Sequence, residues 1–311
     1  MRILIAGGTG FIGSALIDNL LRSQHQIVIL SRNPKKYTNR YDDNISWQQW
    51  DGKTTQGWGH AVENIDCIIN LAGENIAGNS FYSIFFKRYT LERKRAILES
   101  RLNSGKALIQ AVKNSPKKPS TFIQASAVGY YGDRGDEILT ESSFPGNDFA
   151  ASVCIPWENS TLDIEKMNIR RIIIRTAGLV LSKGGGAFPY LLFPYRLFVG
   201  GTLGSGKQWV SWIHIKDEIR AIQFLLENQN AKGVFNVSAP YPVSNREFSR
   251  AIGKALHRPS WLPLPEPIFN LLLGEKSKIL LSSQRQIPEK LLKLGFTFSF
   301  PDIDTALDDL L

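Results

Sequence analysis

The chain has 311 residues, 43% hydrophobic and 21% charged, a balance that excludes disordered, fibrous and repeat-dominated classes. Lysine and arginine number 37 against 28 aspartates and glutamates, and the net charge of +9 predicts affinity for anions. Ten of the basic residues lie between Ser83 and Lys118, where Glu92 and Glu99 are the only acids; a solvated helix face accounts for such a run.

Met1-Arg2 leads straight into Ile3-Leu4-Ile5-Ala6 and glycines, so no signal peptide is expected. No uncharged apolar run reaches the roughly 18 residues of a transmembrane helix, and no membrane partner is expected. Ile3–Ala6, Ile27–Leu30, Ile45–Trp50 and Cys67–Leu71 predict strands, and Phe11–Arg22 and Leu91–Val112 predict helices. Thr121–Ala125 and Arg171–Arg175 continue the strand series. Cys67 falls in a strand-like run and Cys154 in a helix-like one, so the two cysteines indicate neither a disulfide framework nor a zinc site, and a reduced, cytoplasmic setting fits. Strands alternating with helices mean an α/β fold, a doubly wound parallel sheet of the Rossmann type with its ligand crevice at the carboxyl ends of the strands.

From about Leu181 the texture changes to Gly184-Gly185-Gly186, Pro189, Pro194, Gly200-Gly201, Gly204 and Gly206, punctuation that breaks any long element and reads as a loop-rich substrate cap. Asp217–Asn228 predicts a helix, Gly233–Val237 a strand, Ser244–Leu256 a helix, and a last helix follows Pro301. The expected division is therefore a nucleotide-binding domain over residues 1–181, with 208–240 returning to the sheet, and a smaller substrate region from 182–207 and 241–311.

Between the first strand and first helix stands Gly7-Gly8-Thr9-Gly10-Phe11-Ile12-Gly13. Gly7 permits the tight turn, Gly10 lets the backbone approach a pyrophosphate, Gly13 lets the helix pack on the strand, and the helix N-terminus stabilises phosphate charge. Thr9, Phe11 and Ile12 belong to the same cofactor loop. After the second strand a carboxylate would mark a ribose 2′-hydroxyl, but the chain has Ser31-Arg32, a hydroxyl and a guanidinium suited to a 2′-phosphate. NADP(H) is therefore expected over NAD(H), the competing reading being a surface arginine in a turn before Pro34.

These residues resemble the extended short-chain dehydrogenases/reductases through Gly7-x-x-Gly10-x-x-Gly13, Asn70-Leu71-Ala72-Gly73 and Ser126. Asn70-Leu71-Ala72-Gly73-Glu74-Asn75-Ile76, Ser100-Arg101, Gly129-Tyr130-Tyr131-Gly132, Trp157-Glu158, Gly184-Gly185-Gly186-Ala187 and Trp212-Ile213-His214-Ile215-x-Asp217 narrow the likeness to the nucleoside-diphosphate-sugar epimerase branch. The resemblance implies that Leu71 and Ala72, with Gly73 and Glu74 behind them, lie along the adenine–ribose side of the crevice. It also implies that Arg101 stands near the cofactor and that Gly178-Leu179-Val180 approaches the nicotinamide. A homodimer through two outer helices is common in that superfamily.

Relatives use a Tyr-x-x-x-Lys pair after the serine, the tyrosine exchanging a proton and the lysine lowering its pKa. Counting back from Glu158 puts Ala150 at the tyrosine and Cys154 at the lysine, and the motif occurs nowhere else in the chain. Two explanations compete. In one, Tyr130 or Tyr131 is a substitute acid/base, Ser126 orients the substrate oxygen and Arg101 supplies the positive field. In the other, turnover is lost and the chain is an NADP(H)-binding sensor or interaction protein. Gln208, Trp209, Trp212 and His214 read as a pocket wall and favour the first, although His214 alone reads as an anchor between cap and helix.

A hydrolase elbow Gly-x-Ser-x-Gly and metal-ligand spacing are both absent, and no metal is expected. In Lys87–Arg95, with Phe85, Phe86 and Tyr89, helix-packing aromatics explain the pattern more simply than nucleic acid does. The expected function is that of an epimerase-like, NADP(H)-dependent oxidoreductase acting on a small-molecule carbonyl or secondary alcohol, with an anionic sugar nucleotide as a candidate.

Overall fold

The computed structural model describes residues 1–37, 44–76, 89–274 and 276–311. Side chains alternate along a strand, so Ile3 and Ile5 of β1 (Arg2–Ala6) point to one face while Leu4 and Ala6 point to the other, and all four are fully buried. Continuous burial of this kind needs cover on both faces. The pattern recurs in β2 (Gln26–Ser31), β4 (Cys67–Asn70), β5 (Thr121–Ala127) and β6 (Arg170–Thr176), flanked by β3 (Ile45–Gln49) and β7 (Gly233–Val237). Together they form a seven-stranded parallel sheet in the order β7-β6-β5-β4-β1-β2-β3. The chain reverses its direction of travel beside β1, which opens a crevice at the carboxyl ends of β1 and β4.

Six helices matter for the site: α1 (Phe11–Arg22), α2 (Leu91–Asn114), α3 (Phe149–Asn159), α4 (Phe188–Arg196), α5 (Ile215–Glu227) and α6 (Asn245–Leu256). Leu16 and Leu20 of α1 and Ile222 and Leu225 of α5 pack with Ile3, Ile5, Ile27 and Ile29 on one face. Leu108 and Val112 of α2 pack with Leu4, Val28, Ile68 and Phe122 on the other. Each such leucine contributes about 1.5–3 kcal/mol by leaving water. Thr90 starts α2 by accepting a hydrogen bond from Arg93 N, and Asp148 starts α3 by accepting one from Ala151 N.

A third apolar cluster lies apart from those two. Leu179, Leu181 and Trp212 meet Phe188 and Leu192 of α4, Phe248 and Ile252 of α6, and Leu307 of the C-terminal helix Ile303–Leu310. The segment after Leu181 is thus not all loop, as its prolines and glycines predict. Pro189 sits in the first turn of α4, where a missing N–H costs nothing, and the helix ends two residues after Pro194.

Candidate functional site

The glycine loop is shaped by close approach. Gly7 has φ +84°, and a Cβ there would lie 2.7 Å from the Leu71 carbonyl, while one on Gly13 would lie 2.3 Å from Gly7 O. Gly10 N donates to Gly7 O at 3.0 Å, closing the turn. Among the described residues no side chain caps α1, which leaves its first-turn N–H groups at the loop free of a capping partner, the arrangement that holds an anion. These residues fit a dinucleotide pyrophosphate. Beside them, Ser31 is buried with its hydroxyl accepting from Asn33 N at 3.2 Å, and Arg32 is exposed and makes no ion pair among the described residues.

After β4 the Asn70 side chain shapes its own turn, accepting from Ala72 N at 3.2 Å and donating to Gln124 Oε1 at 3.0 Å. Gly73 lies against Arg101, whose Cζ would be 3.0 Å from a Cβ there. Arg101 Nη1 donates to Glu74 O at 3.0 Å and to Ile97 O at 2.9 Å, and the guanidinium stacks 4.6 Å from the Trp157 ring. Burial pulls its pKa down from the ordinary value, while Cys154, Glu74 and Tyr89 act the other way. Glu74 is itself bound to Arg93 at 2.9 Å. The Asn70–Glu74 turn, Arg101 and α3 therefore meet in one place.

Ala150 and Cys154, the two positions counted back from Glu158, lie on α3 against the turn that follows β5. A Cβ on Gly129 would lie 3.0 Å from Ala150 Cβ and 3.6 Å from Cys154 Sγ, so α3 presses directly on the turn Val128–Tyr131. Burial pushes the Cys154 thiol up to about 12, which leaves it neutral and uncharged beside Arg101. Ser126 Oγ donates to Glu158 Oε1 at 2.6 Å. Glu158 is gripped by Arg175 through Nε at 2.8 Å and Nη2 at 3.0 Å, all of it buried.

The structure separates the two tyrosines. Tyr131 has no exposure; its hydroxyl donates to Asn236 Oδ1 at 2.6 Å and accepts from Arg175 Nη1 at 3.0 Å, and burial pushes its pKa up to about 12. Tyr130 is half-buried, its ring 3.4 Å from the Arg175 guanidinium and perpendicular to Tyr131, and its hydroxyl makes no hydrogen bond among the described residues.

Trp212 and Gln208 are buried and do not form the expected pocket wall, whereas His214 takes the anchoring place read for it alone. Trp212 and His214 have no exposure. Trp212 Nε1 donates to Tyr241 O at 3.1 Å, while His214 Nδ1 caps α5 by accepting from Lys216 N at 3.1 Å and its Nε2 lies 3.3 Å from Asp309. Gln208 is spent on Leu203 O at 2.8 Å, and Trp209 on Asp136 at 2.9 Å. The segment Gly178-Leu179-Val180 follows β6, with Gly178 N bound to Ser211 Oγ at 3.0 Å, Leu179 buried and Val180 half-buried. Of the basic run, Phe85, Phe86, Lys87 and Arg88 lie outside the described residues. Within α2, Arg95 pairs with Glu99 at 2.6 Å, and Lys113 pairs with Asp163 at 2.8 Å, as a solvated face should.

Sequence reasoning missed three groups. Glu158 enters the sequence reading only as a motif residue and a reference for spacing, and Asn236 only as a strand residue. Glu218, fully buried at the start of α5, accepts from Thr176 Oγ1 at 2.8 Å, and burial pushes its pKa up to about 8. The available signal was an acid or amide inside otherwise apolar runs.

Residues 3–238 match the NAD dependent epimerase/dehydratase family, and residues 264–310 match a domain of unknown function, DUF1731. The epimerase family protein YfhF of Bacillus subtilis is 37% identical over 314 residues, covering 100% of this chain and 98% of that protein. The crystal structure of the human epimerase family protein SDR39U1 (isoform 2) with NADPH is 30% identical with TM-score 0.86, covering 100% of this chain and 99% of that one. The nucleoside-diphosphate sugar epimerase of Corynebacterium glutamicum is 32% identical with TM-score 0.76, covering 99% of this chain and 57% of that one. This chain belongs to the NAD dependent epimerase/dehydratase family.

Proposed function

We propose that this protein is an NADP(H)-dependent, epimerase-like oxidoreductase acting on a carbonyl or secondary alcohol, such as that of a sugar nucleotide. The observation that carries the reading is the pair of loops at the carboxyl ends of β1 and β2: N–H groups of α1 without a side-chain cap among the described residues, with Arg32 and no acid at the end of β2. The NADPH in the human relative's structure supports it. The cofactor, when bound, supplies the hydride acceptor or donor. Gly7, Gly10 and Gly13 admit its pyrophosphate, Arg32 and Ser31 receive its 2′-phosphate, and the Asn70–Glu74 turn lines the ribose side. Tyr130 exchanges the substrate proton, since its hydroxyl is the uncommitted one of the pair. Arg101 sets the positive charge beside α3 that the absent lysine would provide. The buried cysteines support a cytoplasmic setting.

A second reading has its own observation. Ser126 is spent on Glu158, and Ala150 and Cys154 cannot exchange a proton, which favours a nucleotide-binding sensor without turnover. Calorimetric titration with NADPH and NADH tests the cofactor assignment: NADPH should bind at least about tenfold more tightly, a difference of about 1.4 kcal/mol. Equal affinities would contradict it. Incubating the NADPH-loaded protein with ketose and keto-sugar nucleotides then separates the two readings.

A further inference from the structure

Where α4 ends, the chain turns apolar side chains outward and holds them there. Phe198 adopts φ +61°, a left-handed conformation that is strained for a bulky residue. The bend is fixed by Phe198 N donating to Tyr195 O and Val199 N to Pro194 O, both at 2.9 Å, while Tyr195 is itself buried and bound to Ser249 at 2.6 Å. A second segment runs alongside. Trp261 N and Leu262 N donate to Gly200 O at 3.1 and 3.2 Å, and Trp261 Nε1 donates to Phe198 O at 3.0 Å. Despite these bonds Phe198 remains 54% exposed and Trp261 64%, with Leu197 and Leu262 also exposed and Leu271, on the next helix, 73% exposed.

Within the two segments that form this patch the charge is of one sign, the next acid along the chain being Glu266 at the start of the helix that carries Leu271. Arg258 holds its guanidinium 4.5 Å from the Phe198 ring, and Arg196 stands exposed in the last turn of α4. Neither makes an ion pair among the described residues, and residues 193–199 and 257–264 contain no aspartate or glutamate. A second copy seated on the same patch would bring two more arginines, and no acid from these segments, to the contact. A surface of anionic lipid supplies the opposite charge, and a phenylalanine, a tryptophan and leucines beside arginines are the side chains that settle at a headgroup boundary. No helix among the described residues is long and apolar enough to cross a bilayer, so the contact is peripheral.

We propose that the Leu197–Val199 turn and Trp261–Leu262, flanked by Arg196 and Arg258, dock this protein on the surface of an anionic bilayer. Co-sedimentation of the full chain with vesicles tests it. Binding is expected to equimolar phosphatidylcholine–phosphatidylglycerol vesicles, weak or absent to phosphatidylcholine alone, and weakened by salt. Trp261→Ser and Arg258→Glu should each weaken binding by about tenfold with the melting temperature unchanged. Arg196→Glu, on an exposed helix end, gives the same test if Trp261→Ser fails to fold. No pelleting with the anionic vesicles, or equal pelleting with both compositions, would overturn the proposal. So would a dimer in analytical ultracentrifugation without vesicles that Trp261→Ser dissociates, since that result assigns the patch to a second copy.

Discussion

Ser126 Oγ lies 2.6 Å from Glu158 Oε1, and Arg175 grips both oxygens of the same carboxylate. The serine that would orient a substrate oxygen is therefore tied to a buried ion pair. Removing the carboxylate strands the Arg175 charge out of water, so Glu158→Ala should cost about 3–5 kcal/mol in urea denaturation. A loss below about 1 kcal/mol would mean that the pair is solvated and not structural.

The two tyrosines should part on different measurements. Tyr131→Phe leaves Asn236 and Arg175 each short of a partner, and a stability loss of about 1–3 kcal/mol is expected. Tyr130→Phe should leave stability within about 0.5 kcal/mol and abolish any turnover. Unchanged rates in Tyr130→Phe would remove that residue from the chemistry.

Gly13→Ala places a methyl group where backbone already stands, 2.3 Å from Gly7 O. The expected result is a lowered melting temperature together with lost NADPH binding. Gly10→Val meets less of the protein, its Cβ lying 3.2 Å from Gly7 O, but blocks the approach of the pyrophosphate. It should keep the fold and lose both NADPH and NADH; retained affinity in a folded Gly10→Val protein would contradict the glycine-loop assignment.

Arg32→Ala removes an exposed cation with no ion pair among the described residues, so stability should hold. NADPH affinity should fall by about tenfold or more while NADH affinity changes little, because only NADPH carries the 2′-phosphate. Equal losses for the two in a binding titration would sink the role.

Glu218 makes stability depend on pH. Burial is the larger cause and the Thr176 hydrogen bond opposes it, so the folded protein keeps this proton to about pH 8, whereas the unfolded chain releases it near its ordinary 4.5. Between those values the folded state binds the extra proton, and stability falls as pH rises, then levels off beyond about pH 8. Each pH unit of displacement corresponds to about 1.4 kcal/mol. Glu218→Gln should remove this slope in melting curves taken across the range; parallel profiles for the two proteins would contradict it.

The sheet and the tight glycine loop were legible because their signals are local. Apolar runs at Ile3–Ala6 and Ile27–Leu30 and the Gly7–Gly13 spacing sit within a few residues of one another, and helix Phe11–Arg22 begins and ends where its pattern does. The buried network was not legible. Glu158, Arg175, Tyr131, Asn236 and Gln286, whose Nε2 donates to Asn236 Oδ1, come from five different elements of the chain, and nothing in any one of them announces the others. Trp212 was misread as a pocket wall, and the partners of His214 were hidden for the same reason: the C-terminal helix that brings Asp309 to His214 lies far along the chain, as does Phe300 against its ring. Helix α4 was hidden by Pro189 and Pro194, whose positions in the helix decide whether they break it.

The most direct test of the account is the nicotinamide absorbance of protein loaded with stoichiometric NADPH, followed in a single turnover against carbonyls and keto-sugar nucleotides. The account predicts a substrate-dependent loss of the reduced-nicotinamide band that Tyr130→Phe abolishes while NADPH stays bound. A saturated NADPH complex whose absorbance never changes across the panel would contradict the oxidoreductase reading and leave a nucleotide-binding protein without turnover.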